Sequence, residues 1–317
     1  MRNTFISRLV DLAAQDERIH LLTGDLGFSV LEPFRDRFPD RYLNVGVAEQ
    51  NMIGIAAGLA LTGKKVFAYS IVNFAVTRAL EQIRVDVCYH NLDVTVVAVG
   101  GGVPYGPQGY THHGAEDVAF TRVLPNMAVM APCDPHEAAW ATTHLYRRRG
   151  PSYLRLGKGG EPAIHGGALA DTAGSGWFDL GGGGRVALLA NGPILGECVK
   201  AAEMLVAEGI GVRLISVPAV APLPTAPLLT LARECDRLVV VEEHSRSGGL
   251  GGAVAEVLSE YPGMPAVKRL GLDSGKIKTI GDQRFLWREN GIDAAGIAAA
   301  VWSWVDGGPA LMPGDTI

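Results

Sequence analysis

Residues 44–52 (NVGVAEQNM) place one acidic side chain, Glu49, where a strand-like run turns into a segment of helical period. A carboxyl there can serve as a general acid or base, and the positive end of a helix favours a plain capping carboxylate equally well. The small residues that follow, Gly54, Ala56, Ala57, Gly58 and Ala60, let a helix, a backbone or a ligand approach closely. A second constellation, residues 100–113 (GGGVPYGPQGYTHH), is a glycine-rich loop ending in His112 and His113. An imidazole carries protons near neutral pH, so this is either a catalytic loop or a solvated one. No G-x-G-x-x-G opens a helix there, which excludes a dinucleotide fingerprint, and the loop is not a Walker loop. Cys88, Cys133, Cys198 and Cys235 lack C-x-x-C or Cys/His ligand spacing. They read as core thiols, and no residue of the chain is assigned to a metal.

Positioning these groups requires a parallel sheet wrapped by helices. Short β-rich runs at Ile19–Thr23, 65–69, Val94–Val99 and 127–130 alternate with helical stretches, which predicts an α/β fold. The clearest helix is Glu49–Leu61, with Met52, Ile55, Ala56, Leu59 and Ala60 on one face and Gly63 just past its end. A long loop directly after the run Val94–Val99 lies where ligands bind in such sheets, beyond the carboxyl ends of the strands. Residues 157–184 are rich in Gly and Ala and weakly periodic. A second alternating block follows, with strands at 185–190, 212–217 and 237–241 and helical stripes through Leu195, Val199, Ala202, Val206 and through Leu250, Val254, Val257, Leu258. Two doubly wound domains are expected, 1–160 and 185–317, joined by a linker at 161–184. The Pro-rich stretch 218–227 interrupts the second without ending it. Glycines 248–252, before a helix, suit close packing or an anion at the helix N-terminus.

At 317 residues, 48% hydrophobic and with a net charge of −5, the chain has enough apolar residues for two cores and no basic stripe for nucleic acid beyond Arg147-Arg148-Arg149. No apolar run reaches the roughly 20 residues of a membrane span, and residues 1–15 lack the pattern of a signal peptide. A cytoplasmic protein is expected.

Residues 44–58 (NVGVAEQNMIGIAAG), Glu81-Gln82-Ile83-Arg84, 109–117 (GYTHHGAED), 124–129 (LPNMAV) and 150–157 (GPSYLRLG) resemble, in order and spacing, the pyrimidine-binding domain of transketolase. The later block, including 248–256 (GGLGGAVAE), is similar to the transketolase C-terminal domain. The resemblance implies thiamine diphosphate as cofactor and two-carbon ketol transfer from a ketose, phosphorylated in the usual case, to an aldehyde. It implies that Glu49 hydrogen-bonds the cofactor's aminopyrimidine ring, that Phe74 packs on that ring, and that Asp25 lies near it. Removal from water favours the proton-holding form of a carboxyl, as such a role requires. It implies His112 as the proton-handling substrate histidine, Gln108 at a hydroxyl-reading position, and Arg2, Ser29 and Lys158 around the sugar phosphate.

The family's diphosphate-binding domain has no counterpart motif in these residues. The resemblance therefore points to the C-terminal subunit of a split transketolase, inactive alone. A companion N-terminal chain would hold the diphosphate and Mg²⁺, in an α₂β₂ heterotetramer with sites at subunit interfaces. Departures bear on the substrate. Ile71 and Thr77 replace aromatic residues, Lys158 replaces the usual Arg, Gln108 replaces an aspartate, and Gly100 stands where a phosphate-contacting histidine is common. These put the standard pentose phosphates in doubt. Two other expectations compete: the β subunit of a 2-oxo acid dehydrogenase, and a binding subunit without catalysis.

Overall fold

Apolar runs without polar alternation need cover on both faces, and helices supply it here. The computed structural model describes residues 1–170 and 175–307. Its strands are β1 (Ile19–Thr23), β2 (Tyr42–Asn44), β3 (Lys65–Ile71), β4 (Val94–Val99), β5 (Ala128–Met130), β6 (Ser152–Leu156), β7 (Phe178–Gly182), β8 (Val186–Ala190), β9 (Val212–Ser216), β10 (Ala219–Ala221), β11 (Arg237–Ser245) and β12 (Ala266–Leu272). They form two sheets, ordered β10-β5-β6-β4-β3-β1-β2 and β12-β11-β8-β9-β7. All pairings are parallel except β10 on β5 and β7 on β9. β4 is buried along its whole length, as expected of a central strand clad on both sides.

Adjacent strands β6, β4, β3 and β1 end at the same edge of the first sheet, and the loops that follow carry Lys158, His112, Phe74 and Asp25. β2 leads at that edge into the helix Glu49–Leu61, closed by Gly63 at φ +84°. Sequence-distant candidates are gathered there by topology.

Several features depart from expectation, the strands β6 and β12 among them, since no expected strand covers either. The stretch expected to be a bare connector, 161–184, contains β7, which pairs with β9; residues 171–174 of it lie outside the described part. The Pro-rich stretch supplies β10, which pairs with β5 and so inserts the second half of the chain into the first sheet (Ala219↔Met130). β11 runs four residues past the expected 237–241 and carries Glu242, Glu243 and His244, all buried. Among the described residues no helix is long and apolar enough to cross a membrane.

The connector is clasped onto the first half. Asp134 caps the helix Pro135–Arg147 through the Glu137 N–H, and its other oxygen accepts the N–H groups of Ile164 (2.8 Å) and His165 (2.9 Å). His165 Nε2 lies 2.8 Å from the buried Glu137 Oε1. That hydrogen bond raises the His165 pKa above its usual 6.5, against the opposing effect of burial. A raised folded-state pKa stabilises fully below the unfolded value and is lost as pH rises through the folded one. The stability difference between the native chain and His165→Phe should therefore be largest near pH 6 and shrink as pH climbs past 6.5, read by urea denaturation at each pH. A pH-independent difference would contradict the pairing.

Candidate active site

Glu49 is the first residue of its helix and is 1% exposed. Oε2 accepts a 2.7 Å hydrogen bond from Arg78 Nη1, while Oε1 is buried with no hydrogen-bond partner among the described residues. Gly24 packs against this free oxygen: a Cβ there would lie 3.4 Å from Oε1. An orphaned acceptor in a dry site is costly unless a ligand satisfies it. A ring nitrogen carrying a proton would satisfy this oxygen, and an aminopyrimidine offers one.

Phe74 lies in a wide helical turn, Asn73–Thr77, and is half-buried. The Arg78 guanidinium sits 4.5 Å over its ring, and the His112 ring meets it edge-on at 5.2 Å. Beside them an open cleft of about 480 Å³ is lined by Phe74, Thr77, Arg78, Tyr110 and Thr111, among others. Arg78 links two of the expected site residues, and no spacing in the sequence singles it out.

His112 is partly exposed, with Nδ1 3.0 Å from the Thr111 hydroxyl. His113 points the other way: it is buried, with Nε2 3.4 Å from the Gly106 carbonyl oxygen, and burial lowers its pKa. Gln108 is exposed at the end of the short turn Gly106–Gln108. Asp25, at φ 57°, is tied to Asn44 by its N–H (3.0 Å) and its carboxylate (2.9 Å). Asn44 Oδ1 also accepts the Gly46 N–H. The pair pins the ends of β1 and β2 together just ahead of Glu49.

Arg2 and Lys158 come together around the turn after β6. A Cβ on Gly159 would lie 3.3 Å from Arg2 Nη2, and the Lys158 ammonium sits 4.9 Å over the Tyr105 ring. Arg2 Nε is buried and has no hydrogen-bond partner among the described residues. Ser29 is not brought to them by any contact among the described residues; it is exposed at φ 63°, and its N–H is bonded to Glu32. Tyr105 explains Gly100. A Cβ at position 100 would stand 2.1 Å from the Tyr105 ring, so that ring fills the space a side chain at 100 would need.

The loop that carries His112 is seated on buried charge. Arg155 donates to Asp117 (2.8 and 3.2 Å), to the Gly114 carbonyl (2.7 Å) and to the Glu243 carbonyl (2.9 Å). Tyr153 donates to the same carboxylate. Burial alone would raise the Asp117 pKa, but the charges of Arg155 and His244 and these bonds outweigh it and hold it below the usual value. The Glu243 side chain accepts from the Val103 N–H (2.8 Å) and Gln283 Nε2 (2.9 Å), yet burial leaves its pKa raised. Glu242 settles the role of glycines 248–252. Its carboxylate accepts the N–H groups of Leu250 (2.8 Å) and Gly251 (3.0 Å), so the chain's own side chain occupies the helix N-terminus. A Cβ on Gly249 would fall 1.8 Å from Glu242 Oε2, the reason for glycine there.

Comparison with known proteins gives a consistent result. Residues 1–161 match the family model for the transketolase pyrimidine binding domain, and 180–297 match that for the transketolase C-terminal domain. An apulose-4-phosphate transketolase subunit from Actinobacillus succinogenes is 38% identical over 94% of this chain and 96% of its own length. A 6-deoxy-6-sulfo-D-fructose transketolase subunit of Clostridium sp. is 36% identical over 86% of this chain and 84% of its own. A solved structure described as a split-gene transketolase in an inactive β4 tetramer superposes with a TM-score of 0.86 at 35% identity, covering 95% of this chain and 97% of that one.

Proposed function

Since the chain belongs to the transketolase family, we propose that it is the C-terminal subunit of a two-chain transketolase that uses thiamine diphosphate to move a two-carbon ketol unit from a ketose to an aldehyde. The observation that carries this reading is the buried Glu49 carboxylate with one oxygen unpaired, facing Gly24 and adjoining Phe74 through Arg78.

The chemistry supplied by bound thiamine diphosphate is that of an electron sink for the two-carbon unit between donor cleavage and acceptor addition. This chain does the rest. Glu49 Oε1 holds a proton at a ring nitrogen of the aminopyrimidine, in a site where burial strengthens that contact. Phe74 offers an aromatic surface to the ring, and Asp25, fixed by its hydrogen bonds to Asn44, lies near it. His112 takes and returns a proton at the substrate's oxygen. Gln108, an amide in place of a carboxylate, reads a hydroxyl without adding charge. Arg2 and Lys158 hold the donor's anionic end, supported by the unsatisfied Arg2 Nε. With Tyr105 in the space at position 100, the grip on that end differs from one using a histidine.

The diphosphate and Mg²⁺ belong to a companion chain, within an α₂β₂ assembly. Relatives of matching length that are themselves named as transketolase subunits, and an inactive tetramer made of β chains, support this division. So does the apolar surface around Phe28, Leu43 and Val47, exposed near the Glu49 helix. A cytoplasmic setting accords with four buried, unpaired cysteines.

Co-expression with the companion, loading with thiamine diphosphate and Mg²⁺, and a panel of free and phosphorylated ketoses with varied aldehydes form the test. Chromatography should show ketol transfer by the pair and none by either chain alone. Decarboxylation of 2-oxo acids in its place would favour the dehydrogenase reading, and no transfer from any ketose would end the proposal.

A further inference from the structure

The second sheet shares in the site, beyond any part in assembly. We infer that Glu243 is a positioning residue for the substrate histidine: from β11 it fixes the loop 100–114, and so the place of His112, by accepting the Val103 N–H. This rests on the functional reading above and deepens it.

Contacts made by the second half of the chain seat this loop. Glu243 Oε1 takes the Val103 N–H at 2.8 Å, the Ser245 N–H donates to the Ala115 carbonyl at 2.7 Å, and Gly106 packs on the Gly281 carbonyl so closely that a Cβ would stand 2.1 Å from it. Gly102 is held against Glu243 in the same way, with a Cβ 2.3 Å from the carboxyl carbon. The base of the loop is closed by reciprocal Gly102 and Gly114 bonds of 2.8 and 2.7 Å. Between these anchors the chain runs through Tyr105, Gln108, His112 and His113. Five glycines lie between 100 and 109, so the loop has little intrinsic stiffness, and its shape is set by what it rests on. Glu243 is itself locked by Gln283 Nε2 at 2.9 and 3.1 Å, from the first turn of the helix Gln283–Glu289. A buried carboxylate is costly in a domain whose only task is to pack, whereas one that aims a catalytic loop has a use for its fixed geometry.

The test uses the two-chain holoenzyme. Glu243→Ala removes the acceptor and should lower kcat/KM for the ketose donor by roughly 30- to 100-fold, the cost of a misplaced catalytic group. Glu243→Gln retains an oxygen for Val103 and should stay within about threefold of the native enzyme. Hydrogen exchange on the companion-bound chain should quicken at 100–114 in E243A and not in the core strands of either sheet. If E243A does not assemble, Glu243→Asp withdraws the acceptor by one methylene and should move both readouts the same way. Unchanged exchange at 100–114 together with an unchanged donor kcat/KM in the alanine or aspartate variant overturns the inference. So does a Gln variant as impaired as Ala. If the native pair transfers no ketol unit, the functional reading fails, while the exchange arm still decides what holds the loop.

Discussion

Glu49→Gln should abolish most turnover in the assembled pair, lowering kcat by roughly 10²- to 10⁴-fold, the range over which positioned proton transfer contributes. The amide keeps the size of the side chain and an oxygen toward Arg78, so the helix Glu49–Leu61 should stand and the two chains should still assemble. What should be lost, on the proposed function, is the ability of Oε1, the buried oxygen of this carboxylate without a partner, to hold a proton at the ring. Steady-state kinetics at saturating cofactor, with assembly checked by light scattering, separates the two effects. Turnover within threefold of native would remove Glu49 from the chemistry, and a failure to assemble would assign it to structure.

The second large effect is on stability. Asp117→Leu leaves Arg155, 3% exposed, with its charge buried and its carboxylate partner gone. Breaking a buried pair from one side costs about 3–5 kcal/mol, more than most surface changes could approach. Removing both partners, as Asp117→Leu with Arg155→Met, should recover a good part of that loss, because apolar groups of similar volume replace a buried pair at little cost. Urea midpoints of the native chain and the two variants measure this. A single variant that loses less than about 1 kcal/mol would mean water reaches Arg155. Arg155 also binds the Gly114 carbonyl at the base of the His112 loop, so this pair supports the fold and the loop together.

Residues whose local pattern suffices were legible. The helix Glu49–Leu61 has a run of apolar residues and a closing glycine, and β1 and β4 are unbroken β-rich runs, so element type was legible, but the helix buries Met52, Ile53, Ala56 and Ala57, with the expected Ile55, Leu59 and Ala60 only partly covered. The loops after β1, β3 and β4, with Asp25, Phe74 and His112, could be placed at one sheet edge because parallel strands end together, whereas Lys158 follows β6, for which no strand was expected. Tertiary pairing was not legible. β11 reads as ending at Val241 because Glu242, Glu243 and His244 are polar, yet all three are buried, Glu243 against the sequence-distant Val103 and Gln283. β7 was hidden in a glycine-rich stretch because its pairing is on β9, more than thirty residues away. Arg78 and Tyr105 escaped notice for a related reason. Their importance lies in what they cover, Glu49 and Phe74 in one case and the space at Gly100 in the other.

The short strand β10 has an implication for how the chain can be divided. Ala219–Ala221 caps the β5 edge of the first sheet, although it belongs to the second half of the polypeptide. A fragment cut between the halves would leave Ala128–Met130 with bare N–H and C=O groups, a template on which other chains can add strands. The two halves are thus laced together, and the first is self-sufficient only while three residues from the second screen it from sticking to its own copies.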